Sequence, residues 1–264
     1  VDEFGHHSSM FRQSTLSPLI FISSDLSEQE LADSPLAING MKLLRYADQS
    51  GGISLTQSLG AFHRKCVEWA AHEFRWPGFE PEVLYSVNKV LNEPDFPPLS
   101  ILHQALQDLR LIRHYRGKAV LTKAGRSILG NHGALQAFLI EWILAGPLQE
   151  SLSPEAAVLF WDLRHMLGVV PNRMVDWMTL GTFTEWALPV ELFPGRGPFG
   201  PRHEASFFIA YNFIRPLTWL GLLQNSPQNT PGMTVTDRQF RKLEMFDKVI
   251  KITLPHDIRA TGVH

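Results

Sequence analysis

The segment from Pro98 to Leu129 constrains this chain most, because its pattern switches from helical to strand-like within a few residues. Pro98 suits the first turn of a helix, where its missing N–H costs nothing, and Leu99, Leu102, Leu106 and Leu109 then recur as one apolar stripe. Leu111 to Arg116, the tight turn Gly117-Lys118 and the run Ala119-Val120-Leu121-Thr122 follow at once, and a short helix is predicted from Lys123. The order helix, β-hairpin, helix excludes a plain helical bundle. The face opposite the leucine stripe carries Ser100, His103, Gln104, Gln107 and Arg110.

The run LQDLRLIRHYRGKAVLTKAGRSIL resembles the recognition-helix end and wing of bacterial winged-helix (winged helix-turn-helix) proteins, and the resemblance covers residues 99–129. A broader stretch, GGISLTQSLGAFHRKCVEWAA through RWPG to VNKVLNEPDFPPLSILHQAL, is similar to uncharacterised bacterial proteins with helical and winged-helix regions. The resemblance implies a fold rather than an activity. One departure is local: many winged-helix proteins have glycine directly after the helix, and this chain has Arg110.

An internal repeat points to a second copy. Leu106, Leu109, Leu111 and Ile112 match Leu217, Leu220, Leu222 and Leu223 in spacing, with Gly221 in the place of Arg110. Val120-Leu121-Thr122 aligns with Thr234-Val235-Thr236 after a longer loop, and Leu129 with Leu243. A helix is thus expected to Leu223, then strand pairing of Leu222-Leu223 with Thr234 to Thr236, then a helix over Arg238 to Phe246.

Elsewhere, helices are predicted around Ile38 to Tyr46, Phe62 to Phe74, Pro81 to Leu91 and Ala134 to Leu144, with a β-prone run at Ile53 to Thr56. Phe62, Cys66, Trp69, Leu102, Leu106 and Leu109 are expected to be largely buried. Ser153-Pro154 opens a helix that should stop at Gly168 to Pro171, a further helix spans Arg173 to Leu188, and Pro216 kinks or restarts the long helix over Phe207 to Leu223. The expected fold is mainly α with small β-hairpins (α+β): tandem winged-helix-like units plus a helical linker. Its parts are an arm over residues 1–37, a first unit over 38–130, a connecting region over 131–201 and a second unit over 202–264. Val1 to Ser9, with paired His6 and His7, read as an expression remnant ahead of Met10.

At 264 residues with 44% apolar and 19% charged side chains, the chain has the composition of a folded, two-unit protein rather than a disordered one. A single cysteine, Cys66, excludes an intramolecular disulfide and points to the cytoplasm, and no apolar run is long enough to span a membrane. The net charge of −2 gives no global attraction to phosphates, so nucleic-acid binding requires a local patch.

That patch is the first hairpin, where Arg110, Arg113, Arg116, Lys118, Lys123 and Arg126 occur with no acid between them, beside His103, Gln104 and Gln107 for base edges. The expected function is nucleic-acid binding of the transcriptional-regulator type, with duplex DNA as partner. The competing reading is a protein-interaction or scaffold module using the same surfaces.

No enzyme constellation stands out. Gly195, Gly197 and Gly200 spell G-x-G-x-x-G, but the motif follows Leu192-Phe193-Pro194 and contains Pro198, which suits a loop and not a dinucleotide cradle. Glu68 and His72 lie one helical turn apart with His63 on the same helix, but the pair has no H-E-x-x-H pattern and no clustered third ligand, so no metal and no cofactor are expected. Cys66 falls on the apolar stripe and reads as a small hydrophobe. Glu80 with Glu82, and Glu93 with Asp95, flank prolines as helix-start or turn residues, while Trp76 and Trp186 could line a groove.

Overall fold

The computed structural model describes residues 11–13, 20–145, 163–188, 190, 193, 195 and 198–252. The chain divides into two compact units: Leu26–Trp142, the N-terminal unit, and Ile143–His264 together with Val1–Asp25, the C-terminal unit. Both are α+β. Strands β1 (Phe11–Gln13) and β2 (Ile20–Ser23) belong to the C-terminal unit despite their early place in the chain. Residues 1–9 lie outside the described residues.

In the N-terminal unit, helix α1 (Pro35–Gln49) starts where Ser34 accepts the Ala37 N–H and Pro35 sets the first turn. Gly51 and Gly52, both at positive φ, turn the chain into β3 (Ile53–Ser54). Helices α2 (Arg64–Glu73), α3 (Pro81–Val87) and α4 (Pro97–Asp108) follow, then β4 (Ile112–Tyr115), β5 (Lys118–Leu121), α5 (Lys123–Ser127) and α6 (His132–Ala145). The predicted hairpin is present. The antiparallel sheet has the order β3-β5-β4, so the returning hairpin strand lies between its partner and the distant β3.

The leucine stripe of α4 supplies the core: Leu99, Leu102 and Leu106 are fully buried, with Phe62 and Cys66 almost so. Trp69 and Leu109 are only half-buried, unlike the expectation. Trp69 ends in a stack on Tyr46 at 4.1 Å between ring centres, and Leu109 is the cap residue where α4 gives way to the turn.

The C-terminal unit contains α7 (Leu163–Arg173), β6 (Met178–Thr179), α8 (Leu180–Ala187) and α9 (Gly200–Ile209), which continues through a π-helical turn (Ala210–Ile214) into α10 (Arg215–Trp219). Strands β7 (Leu223–Asn225) and β8 (Gln239–Lys242), helix α11 (Glu244–Val249) and β9 (Ile250–Ile252) complete it. Its two antiparallel sheets have the orders β6-β8-β7 and β1-β2-β9. The first repeats the N-terminal unit's order. Part of the expected arm is therefore sheet, with Ile20 and Ile22 buried opposite β9.

Several local expectations change here. Helix α7 does not stop at Gly168 to Pro171: it runs through Pro171, whose missing N–H falls near its C-terminal end. The start of that helix, placed at Ser153-Pro154, lies outside the described residues. The helix expected from Arg173 to Leu188 is shorter, because residues 174–177 lead into β6 and Thr179 caps α8 by accepting the Thr182 N–H. At Pro216 the ladder slips to π spacing, with the Arg215 N–H bonded to the Ala210 carbonyl five residues back.

The second hairpin exists in a different register. Val235–Asp237 is a short 3-10 turn, and the strand paired with Leu223 is β8, with Leu223 opposite Lys242. Residues 239–242 are consequently strand rather than helix. The hydrogen bonds at the two helix ends nevertheless correspond: Leu111 N–H to Leu106 O at 2.8 Å and Leu222 N–H to Leu217 O at 2.9 Å. Thr122 N–H to Leu111 O likewise matches Leu243 N–H to Leu222 O, each at 3.0 Å, so Thr122 and not Leu129 corresponds to Leu243.

Candidate nucleic-acid interface

Arg110, Arg113, Arg116, Lys118, Lys123 and Arg126 are all exposed in the N-terminal unit, as are Gln104 and Gln107. Two of the arginines hold strained backbone. Arg110 (φ 55°) and Arg116 (φ 49°) are the only non-glycine residues at positive φ among the described residues. Left-handed backbone costs an ordinary L-residue roughly 1–2 kcal/mol. At Arg110 the conformation closes the α4 C-terminus: its N–H donates to the Gln107 carbonyl at 2.9 Å, and its own carbonyl accepts the Thr122 hydroxyl at 2.7 Å. The corresponding turn in the C-terminal unit uses Gly221, at φ 69°.

Arg116 and Gly117 (φ 73°) form the two-residue hairpin turn with φ positive at both positions, a geometry that favours Asn-Gly. The guanidinium groups of Arg113 and Arg116 lie 5.3 and 5.1 Å from the centre of the exposed Tyr115 ring. Two cations are thus held together at the hairpin tip by one aromatic ring. Arg110→Gly is expected to raise stability by about 0.5–1 kcal/mol, measured by chemical denaturation, because it relieves the left-handed strain.

Two members of the expected surface are otherwise engaged. Arg126 approaches Asp48 at 4.0 Å, an exposed pair of small energetic weight. Gln104 donates to Asp108 at 2.8 Å, and Asp108 also accepts from the Trp142 indole at 2.9 Å.

His103 does not belong to the exposed face. It is buried: its ring stacks on Phe62 at 3.8 Å, Nδ1 meets Glu93 Oε1 at 2.8 Å, and Nε2 meets His114 Nε2 at 2.9 Å. Glu93, read from sequence as a turn residue, is a buried carboxylate whose second oxygen accepts the Phe62 N–H. Asn92 and Asp95 do make the expected turn bonds around it. The chain Glu93–His103–His114 therefore ties the turn before α4, the helix and the hairpin strand into one network. Burial pulls the His114 pKa below the ordinary 6.5, helped by His103 and opposed by Glu93.

Other candidates resolve simply. Burial pushes the Cys66 thiol up to about 12, with Glu93 adding to the rise, so the thiolate is not populated at neutral pH. Glu68 pairs with Arg64 at 3.3 Å, and no group of three or more His, Cys, Asp or Glu is placed to hold a metal ion among the described residues. Trp76 lines a pocket of about 670 Å³ with Ile38, Phe74, Arg75 and Glu80. Trp186 is exposed under the Arg173 guanidinium at 4.7 Å. The glycine-rich loop is described only in part, and Gly200 begins α9. Among the described residues, no helix is long and apolar enough to cross a membrane.

The N-terminal unit is an α+β module in which a helix leads directly into an exposed, arginine-rich hairpin. Residues 32–134 match the family model described as the Y4jL N-terminal domain. The "Uncharacterized protein y4jL" of Sinorhizobium fredii (strain NBRC 101917 / NGR234) is 48% identical over 96 residues, covering 36% of this chain and 43% of that protein. The chain thus spans less than half the length of this curated relative. No solved structure matches the chain.

Proposed function

We propose that the N-terminal unit is a winged-helix nucleic-acid-binding module that contacts duplex DNA through its hairpin, in a protein of the transcriptional-regulator type. The observation that carries this reading is the presence of arginine at two left-handed positions, Arg110 and Arg116, where glycine or asparagine would be less strained. Strain kept at solvent-facing cations fits a role for the charge itself. The element order and the β3-β5-β4 sheet support the winged-helix assignment, and the corresponding order β6-β8-β7 supports a second, tandem copy.

Contacts would fall mainly on phosphates, since of the three helix residues read for base edges His103 is buried and Gln104 is held by Asp108, which leaves only Gln107 exposed for a base. The expected binding is electrostatic, weakly sequence-dependent and sensitive to salt. Replacing Arg113, Arg116 and Lys118 together by alanine is expected to weaken duplex binding at low salt by tenfold or more. Each lost phosphate contact lowers the slope of log affinity against log salt by about 0.9. Titrations of both proteins at several salt concentrations decide the matter: no binding by the wild type, or equal binding by the two, refutes the assignment.

A further inference from the structure

The strand that carries the wing arginines lies at a sheet edge. In the order β3-β5-β4, β4 pairs through its backbone with β5 on one side only, so side chains fasten its other side to the unit. Ile112 does so at the base of the strand, where it is buried. Two residues further out, nearer the Arg116-Gly117 turn, His114 does so through the 2.9 Å bond between its Nε2 and the Nε2 of His103 on α4. Strand alternation puts Arg113 and Tyr115 on the opposite face.

The protons along this chain can be counted. The Glu93 carboxylate accepts the Phe62 N–H with one oxygen and meets His103 Nδ1 with the other, so Nδ1 carries a hydrogen. Between the two facing Nε2 atoms there is room for one hydrogen. With both rings neutral, His114 donates it to His103. A first added proton enters at His114 Nδ1, the bridging hydrogen sits on either Nε2, and the bond survives beside the Glu93 charge. A second added proton puts an N–H on both facing nitrogens and a positive charge on both rings, and no hydrogen bond between them is then possible.

We propose that the His103–His114 pair is an acid-released latch on the wing: uptake of the second proton unfastens β4 from α4 and loosens the strand that positions Arg113 and Arg116. Burial and the charge of His103 both oppose protonation of His114 while Glu93 favours it, and the balance keeps the latch closed at neutral pH. The other neighbours supply no substitute bond. Phe62 covers the face of the His103 ring, Cys66 near Glu93 stays a thiol, and a Cβ built on Gly60 would lie 3.6 Å from His114 Nδ1. In β5 the residue opposite His114 is Ala119, with Lys118 opposite Tyr115 on the other face.

The consequence for DNA rests on the reading of the wing given above, and its sign is diagnostic. Charge alone predicts tighter binding in acid, since protonated histidines beside the wing attract phosphates. Release of the wing predicts weaker binding, because the arginines must then be ordered on contact.

Amide hydrogen exchange of the full chain at about pH 7.5 and about pH 5.5, corrected for the intrinsic pH dependence of exchange, tests the latch without any ligand. Protection at residues 112–115 and 118–121 is expected to fall about tenfold or more in acid while α1 keeps its protection. His114→Asn, at an exposed position, should leave the wing equally labile at both pH values. Wing protection that ignores pH, that falls as steeply in His114→Asn, or that falls only together with α1 overturns the proposal. Titrations with a DNA duplex at the same two pH values separate the latch from the DNA reading. Weaker wild-type binding in acid, absent in His114→Asn, is the expected result, and tighter binding in acid overturns control of the wing by the latch. No binding at either pH, with wing protection still lost in acid, refutes the DNA reading and supports the latch.

Discussion

Truncating Glu93 to alanine is expected to destabilise the N-terminal unit by about 3–5 kcal/mol, one of the largest effects of any single polar substitution in it. The carboxylate is 6% exposed and accepts from both the Phe62 N–H and His103 Nδ1. Removing it leaves two buried donors without an acceptor, each worth about 1–3 kcal/mol, and loosens the imidazole that reaches His114. Denaturant unfolding of the full chain measures the loss, and Glu93→Gln should recover part of it because an amide oxygen still accepts one bond. A loss below about 1 kcal/mol for the alanine variant would refute the network's structural weight.

The same network makes stability depend on pH with a definite sign. The folded-state pKa of His114 lies below its unfolded value, so the unfolded chain binds the proton more readily. Stability from this group is present above the ordinary histidine value of 6.5 and is lost as pH falls below it toward the folded-state pKa. Melting curves should reach a plateau above neutrality and decline on acidification, and His114→Asn should flatten the decline.

The helix-to-hairpin segment was legible because its information is local: a leucine stripe, a glycine at the turn and a β-prone return strand lie within adjoining residues. The burial of His103 was not legible. It follows Leu102 on the helix, and what draws it inward is Glu93 from the preceding turn and His114 from the hairpin, groups brought together only by the fold. Much of the basic candidate surface could be read because its cations adjoin in sequence, whereas the strain at Arg110 and Arg116 appears only in backbone dihedrals.

The second hairpin misled for the opposite reason. Val235, buried and β-branched between threonines, mimics a strand, while the true strand Gln239–Lys242 contributes one buried residue, Phe240. A weak alternation next to a stronger false one shifts the register. The strands at Phe11–Gln13 and Ile20–Ser23 were illegible because their sheet is completed by Ile250–Ile252 at the far end of the described chain.

Gly125→Ala is expected to cost about 3 kcal/mol or more, although alanine is the better helix former. Gly125 is not at positive φ, so the penalty is steric: an added Cβ would lie 2.0 Å from the Leu111 carbonyl oxygen. That oxygen cannot retreat cheaply, because it accepts the Thr122 N–H at 3.0 Å and the Thr122 hydroxyl at 3.3 Å. Thr122 in turn caps α5 by accepting the Gly125 N–H at 3.0 Å. One methyl group therefore strikes the point where helix end, hairpin and following helix are joined. Gly51→Ala is the useful control: it has positive φ but open space around the new Cβ, and should cost only about 1–2 kcal/mol. Hydrogen exchange separates the two, since Gly125→Ala should lower protection at the Leu111 and Thr122 amides and Gly51→Ala should leave both protected; unchanged protection in both variants would refute the close packing at Leu111.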